Sequence, residues 1–221
     1  MRRMAPLLAL VPLLAACNAI PQAQAPERET VKRSTLVFTP RPETRQCLAR
    51  LGSAQAKFTP VPDQYYGAGC KTLGTVRLSA LRSDGAALGV TNLGPVACPL
   101  ADSFAAWARF GVDRAAQQIL GSPLVRIETM GSYNCRSIAG SDRLSAHASA
   151  SAIDVSGFVL ADGRRITVSG DWTKGKPAER RFLATIHQSA CKRFGTVLGP
   201  RYNAAHHDHL HLELSGRAFC R

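Results

Sequence analysis

The sequence predicts an α+β domain, a small antiparallel sheet with flanking helices, stabilised by disulfides. Three observations carry this reading. Helical patterns come in blocks around short alternating runs rather than one for one with them. The turn Ala161-Asp162-Gly163-Arg164 joins two strand-like runs, as an antiparallel hairpin requires. Six cysteines besides Cys17 are spread along the chain with no CxxC pair, which suits disulfides better than a zinc site of thiolates.

The elements follow in order. Thr44–Leu51 reads as a short helix carrying Cys47 and closed by Gly52. Thr75–Leu81 alternates as a strand does. Pro99–Leu120 has the clearest helical face, with Leu100, Phe104, Trp107, Val112, Ala116, Ile119 and Leu120 on one side and Gly121 as its stop. Leu124–Thr129 alternates again. Ile153–Leu160 and Arg165–Val168 flank the hairpin turn. Ala178–Lys192 is a further helix and His209–Leu214 a last strand.

The N-terminal segment is of another kind. Met1-Arg2-Arg3 precedes an apolar run from Met4 to Ala16, too short to span a bilayer, so residues 1–16 read as an export signal. The run ends in Leu14-Ala15-Ala16-Cys17, which resembles a bacterial lipobox, with Cys17 as the lipidated first mature residue. An ordinary secretory signal cleaved near Ala16 is the alternative. Residues 17–43, with Pro21-Gln22-Ala23-Gln24-Ala25-Pro26 and a charged run, read as a flexible tether. Residues 44–221 then form one domain. The expected location is the cell envelope, anchored by lipid to a membrane and facing the periplasm.

The remaining cysteines agree with an oxidising compartment. They are Cys47, Cys70, Cys98, Cys135, Cys191 and Cys220. Proximity along the chain favours pairing them as Cys47–Cys70, Cys98–Cys135 and Cys191–Cys220, although sequence alone does not choose a connectivity. With 28 basic against 15 acidic residues the net charge is +13. The basic residues are scattered and aromatics make up only 6%, so no nucleic-acid partner is expected. A basic surface facing anionic envelope polymers or lipid headgroups accounts for the charge.

Five of the six histidines fall in two places: Ser145-Ala146-His147 with Asp154 behind it, and His206-His207-Asp208-His209-Leu210-His211. Imidazole and carboxylate suit a catalytic zinc, which takes three protein ligands and keeps a fourth position open. His147, Asp154 and one histidine of the second segment would supply that set. On one continuous helix His147 and Asp154 would lie ~10.5 Å apart, too far to share an ion. On one strand their odd spacing would place them on opposite faces. The segment must therefore turn, which the small residues from Ala148 to Ala152 permit. On a strand, His209 and His211 share a face ~6.7 Å apart, while Leu210, Leu212 and Leu214 face the core.

The pattern His147-x6-Asp154 followed by Asp208-His209-Leu210-His211 resembles the zinc peptidases of the D-alanyl-D-alanine carboxypeptidase and dipeptidase clan. Gly131-Ser132-Tyr133-Asn134-Cys135-Arg136 looks like the clan's upstream substrate-binding arginine region. A closer likeness runs from about Cys47 to the C-terminus. Cys98-Pro99, Gly131–Arg136, Ala152-Ile153-Asp154-Val155-Ser156-Gly157-Phe158, Thr196-Val197-Leu198-Gly199-Pro200 and Asn203-Ala204-Ala205-His206 are similar to the bacterial extensin-like C-terminal domain family. That family usually carries Ser-Glu-His in the first motif, where this chain has Ser145-Ala146-His147.

The resemblance implies a zinc-peptidase core of the carboxypeptidase and hedgehog-like kind. It implies His147, Asp154 and His211 as ligands of Zn2+, with His209 beside the reacting centre. His209 is the favoured base or transition-state stabiliser. Asp208 is the second choice, because strand alternation would turn it away from His209 and His211. Arg136 would hold a substrate carboxylate or the developing oxyanion, and Tyr133 would line the pocket. Peptidoglycan stem peptides suit both the clan and the compartment, and a monomer is expected. The alternative is a non-catalytic lipoprotein that keeps the fold and anchors to peptidoglycan.

Overall fold

The computed structural model describes residues 41–214 and 218–221, so the export signal, Cys17 and most of the tether at 17–43 lie outside the described residues. Helix α1 (Pro42–Ser53) starts with proline at its first position, where no N–H is needed. Strands β1 (Lys57–Pro60), β2 (Gln64–Gly67), β3 (Cys70–Thr72), β4 (Thr75–Arg82), β5 (Ala87–Thr91) and β6 (Val96–Ala97) follow. Helix α2 (Cys98–Ala106) continues through wider π-helical turns at Trp107–Asp113 and Ala116–Leu120. Gly121 then ends the helical run in the left-handed conformation that glycine adopts without strain.

The second half holds β7 (Leu124–Gly131), β8 (Ala152–Leu160), β9 (Arg165–Thr167), α3 (Val168–Lys174), α4 (Pro177–Cys191), β10 (Thr196–Leu198), β11 (Leu210–Glu213) and β12 (Phe219–Cys220). The α+β class holds, as do the helices near Cys47, after Pro99 and after Ala178, and the β8–β9 hairpin. The sheet, however, is neither small nor wholly antiparallel. It has ten strands, with the main order β1-β4-β5-β7-β8-β11-β10-β12, β6 beside β4 and β9 beside β8. β5 runs parallel to β7, and β10 to β12. The β5–β7 pair is parallel because α2 carries the chain back between them, as parallel neighbours require. Val168, expected in the hairpin, instead opens α3, where the Thr167 side chain accepts from Gly170 N.

The core lies between the sheet and the helices. Trp107 is fully buried and donates its Nε1–H to the Ile186 carbonyl at 3.1 Å, joining the α2 extension to α4. Phe158 from β8 meets the Trp107 ring at 6.3 Å and the Phe182 ring at 5.4 Å. The two helical segments approach closely at Gly111. A Cβ there would sit 2.5 Å from Ser189 Oγ and 2.8 Å from Trp107 Cδ1.

Only one of the three expected disulfides forms as proximity suggested, Cys191–Cys220. The other two are Cys47–Cys98 and Cys70–Cys135, in place of Cys47–Cys70 and Cys98–Cys135. α1 packs along α2, which sets the Cα atoms of Cys47 and Cys98 6.0 Å apart. Cys70 on β3 lies instead against the loop after β7. Among the described residues no helix is long and apolar enough to cross a membrane.

Candidate metal centre

Strand alternation builds the centre. In the antiparallel β8–β11 pair, Leu210 is opposite Val155 and Leu212 opposite Ile153, all four fully buried. The residues between them, Asp154 and His211, are directly opposite each other and share the other face. Core packing of the leucines therefore aims the imidazole and the carboxylate at one point. Asp154 Oδ1 lies 2.9 Å from His211 Nδ1.

His147 arrives from outside the sheet. Ser145 caps a short 3-10 turn (Ala146–Ser149) by accepting from His147 N. Ala150 then takes a left-handed conformation with φ 54°, uncommon for a residue with a Cβ, and turns the chain into β8. The loop after β7 holds this segment along its length. Asn134 N donates to the His147 carbonyl, and Ser145 N to the Arg136 carbonyl. The Ser132 carbonyl accepts from His147 Nδ1 at 3.2 Å. In the neutral ring that bond keeps the proton on Nδ1 and leaves the Nε2 lone pair facing the sheet; in the charged ring Nε2–H points at Asp154 instead. Nε2 lies 3.2 Å from His211 Nδ1 and 3.1 Å from Asp154 Oδ2.

The two imidazole nitrogens thus lie 3.2 Å apart, and the Asp154 carboxylate bridges them, Oδ1 2.9 Å from His211 Nδ1 and Oδ2 3.1 Å from His147 Nε2. Zinc bonded tetrahedrally at about 2 Å separates its ligands by about 3.3 Å. Two imidazoles and one carboxylate at this separation are a donor set that fits that ion. Burial pushes the Asp154 carboxyl up, but hydrogen bonds from His147 and His211 outweigh it and hold the group well below the usual carboxylate range. Burial lowers His211 in turn, yet bonds to Asp154 and Glu213 raise it to about 9. The site favours separated charge, with carboxylate and imidazole tightly coupled.

His209 lies just ahead of β11 rather than inside it, so the strand-alternation argument does not govern Asp208. The Asp208 carboxylate accepts from His209 Nδ1 at 2.8 Å, which turns His209 Nε2 toward Asp154 Oδ1 at 3.6 Å. That hydrogen bond also holds the Asp208 carboxyl below its ordinary value. Asp208 thus orients His209. Tyr133 packs its ring against Tyr66 at 5.3 Å, and burial raises its phenol pKa. Arg136 is exposed, bonded weakly to the Ser137 carbonyl, and its positive charge is felt at His206.

Two neighbours were given no role of their own by the sequence: His206, seen there only as part of the histidine segment, and Glu213. His206 hydrogen-bonds Asn203 Oδ1 at 2.6 Å, and its ring packs 5.1 Å from His209 and 5.9 Å from His211. Burial first, then the like charges of His209 and His211, lower it to about 4. Glu213 stands two residues beyond His211 on the same strand face, with Oε2 3.5 Å from His211 Nε2. The period-2 spacing could have found Glu213, whereas His206 depends on a turn the sequence does not reveal. A second cluster, His187 with Cys191 and Cys220, also places its donor atoms close together. Its sulfurs are committed to the disulfide.

Fold and site together define an α+β protein with a buried His–Asp–His triad of metal-ligand geometry. The match to a known family spans nearly all of the folded part. Residues 45–221 fit the family described as extensin-like protein C-terminus, and the chain belongs to that family. No curated protein and no solved structure matches the chain.

Proposed function

We propose that this chain is a zinc-dependent peptidase of the bacterial cell envelope that hydrolyses peptide bonds of peptidoglycan stem peptides. The observation that carries the reading is the convergence of His147 Nε2, the Asp154 carboxylate and His211 Nδ1, three protein donors close enough to share one ion. A structural zinc site would have four protein ligands and no open position. When bound there, zinc supplies Lewis acidity toward a carbonyl and lowers the pKa of its water.

The residues of the chain supply the rest. His209, oriented by Asp208, is placed to take a proton from the attacking water and pass it to the leaving amine. Arg136 and Tyr133 come from the loop that also holds His147, so a substrate carboxylate bound by Arg136 would be in register with the centre. D-amino-acid stems with free carboxylates offer such a group. Within this reading the protein resides outside the cytoplasm, tethered through Cys17 and acting as a monomer.

The experiment compares sacculi digested with the wild-type protein, with His211→Ala and with buffer alone. New soluble muropeptides from the wild type only are expected. Identical profiles in all three arms would sink the enzyme reading. Zinc content of both proteins tests the ligand assignment separately.

A further inference from the structure

Away from the histidine cluster, α3, α4 and the corner after β10 enclose a cleft of about 650 Å³. Its cationic lining is Arg180 and Arg181 from the first turns of α4 and Arg201 from the corner. Among the described residues, no carboxylate lies within ion-pair distance of these three guanidiniums. Several arginines elsewhere, by contrast, are paired: Arg50 with Asp102, Arg109 and Arg114 with Asp84, Arg164 with Asp162, and Arg165 with Glu128. Three like charges gathered around one concavity repel each other and raise its positive potential. A guanidinium is also the side chain best shaped to grip a carboxylate with two parallel hydrogen bonds.

The other walls, Thr173 apart, are apolar. Pro177 and Pro200 line the cleft with Trp172. The Trp172 ring is already engaged by the Arg201 guanidinium at 6.0 Å and by His187 edge-on at 5.6 Å. Nucleic-acid bases want free aromatic faces for stacking, which this cleft does not offer. Proline rings instead present aliphatic C–H surface, suited to the apolar faces of sugar rings. The volume falls in the range of small-ligand sites, far more than a lone phosphate or carboxylate would fill.

We propose that this cleft is a binding subsite for an acidic saccharide, with sugar carboxylates held by Arg180, Arg181 and Arg201 and ring faces against Pro177 and Pro200. The next residue of the corner links it to the histidine cluster, since Tyr202 packs on His206 at 5.4 Å and His206 on His211. A polymer engaged in the cleft would be retained beside the metal centre. The subsite does not depend on whether that centre turns over substrate.

The test titrates the full-length protein with a short oligogalacturonate. The controls are a neutral maltooligosaccharide, inorganic phosphate, a single-stranded oligonucleotide and phosphatidylglycerol vesicles. Saturable binding of the acidic sugar alone is expected. The double variant Arg180→Gln/Arg181→Gln should weaken it by about tenfold or more, roughly the value of a charge-assisted hydrogen bond. The variant's circular dichroism and zinc content should match the wild type. Arg201→Gln, in the corner rather than on α4, should weaken binding independently. Equal affinity of wild type and both variants would overturn the proposal, as would equal binding of the neutral sugar. Tighter, arginine-dependent binding of phosphate, oligonucleotide or vesicles would overturn it in favour of that partner.

Discussion

His211 and Asp154 face each other across the β8–β11 pair, Nδ1 to Oδ1 at 2.9 Å, on the face opposite their buried neighbours Leu212 and Ile153. The geometry of the centre is therefore inherited from the sheet register. His211→Ala should abolish stoichiometric zinc binding while leaving Leu210 and Leu212 to hold the strand. Elemental analysis after dialysis, beside a circular dichroism spectrum, checks both halves. Stoichiometric zinc in the variant would remove His211 from the ligand set.

The Asp208–His209 pair separates chemistry from metal binding. If His209 moves the proton, His209→Ala should cost about 10²–10⁴ in turnover with zinc retained. Asp208→Asn keeps the size but weakens the bond to His209 Nδ1, and should cost roughly 10–100-fold. Muropeptide release rates measured on zinc-loaded proteins decide it. A larger loss for Asp208→Asn than for His209→Ala would make Asp208 the base.

Cys70–Cys135 ties the loop bearing Tyr133 and Arg136 to β3. Replacing both cysteines by serine should cost roughly 2–5 kcal/mol in stability. Chemical denaturation of the wild type and the double variant gives the difference directly.

Gly111 sits where the α2 extension meets α4. Gly111→Ala pushes a methyl against Ser189 and Trp107 and should destabilise by about 1–3 kcal/mol. A variant as stable as the wild type would mean that Ser189 simply rotates away.

Asp84 predicts an acid limb. Hydrogen bonds from Arg114 first and Arg109 next lower its carboxyl from 3.8 to about 2. A carboxyl depressed in the folded state binds protons more weakly there than in the unfolded chain. Its stabilising effect is complete above pH 3.8 and vanishes as pH falls through about 2. Melting curves of wild type and Asp84→Asn should differ at pH 6 and converge near pH 2. A constant difference would exclude the ion pair as its source.

Much of this was legible along the chain. The helical face from Leu100 to Leu120, the hairpin around Asp162-Gly163 and the need for a turn between His147 and Asp154 follow from local periodicity and turn chemistry. His211 and Asp154 stand out because polar residues there interrupt apolar runs. Strands of two to five residues, such as β6, β10 and β12, hold too few alternations to register, so the sheet reads smaller than it is.

By itself, the sequence determined which residues could make a metal centre, since residue chemistry and short-range spacing are local properties. Only the tertiary structure decided that Cys47 meets Cys98 and Cys70 meets Cys135, that Asp208 serves His209, and that His206 joins the cluster. Those are contacts across tens of residues or around an irregular turn. Which of many possible partners meet there is set by how α1 packs on α2 and how β8 registers with β11, which no short window of sequence encodes.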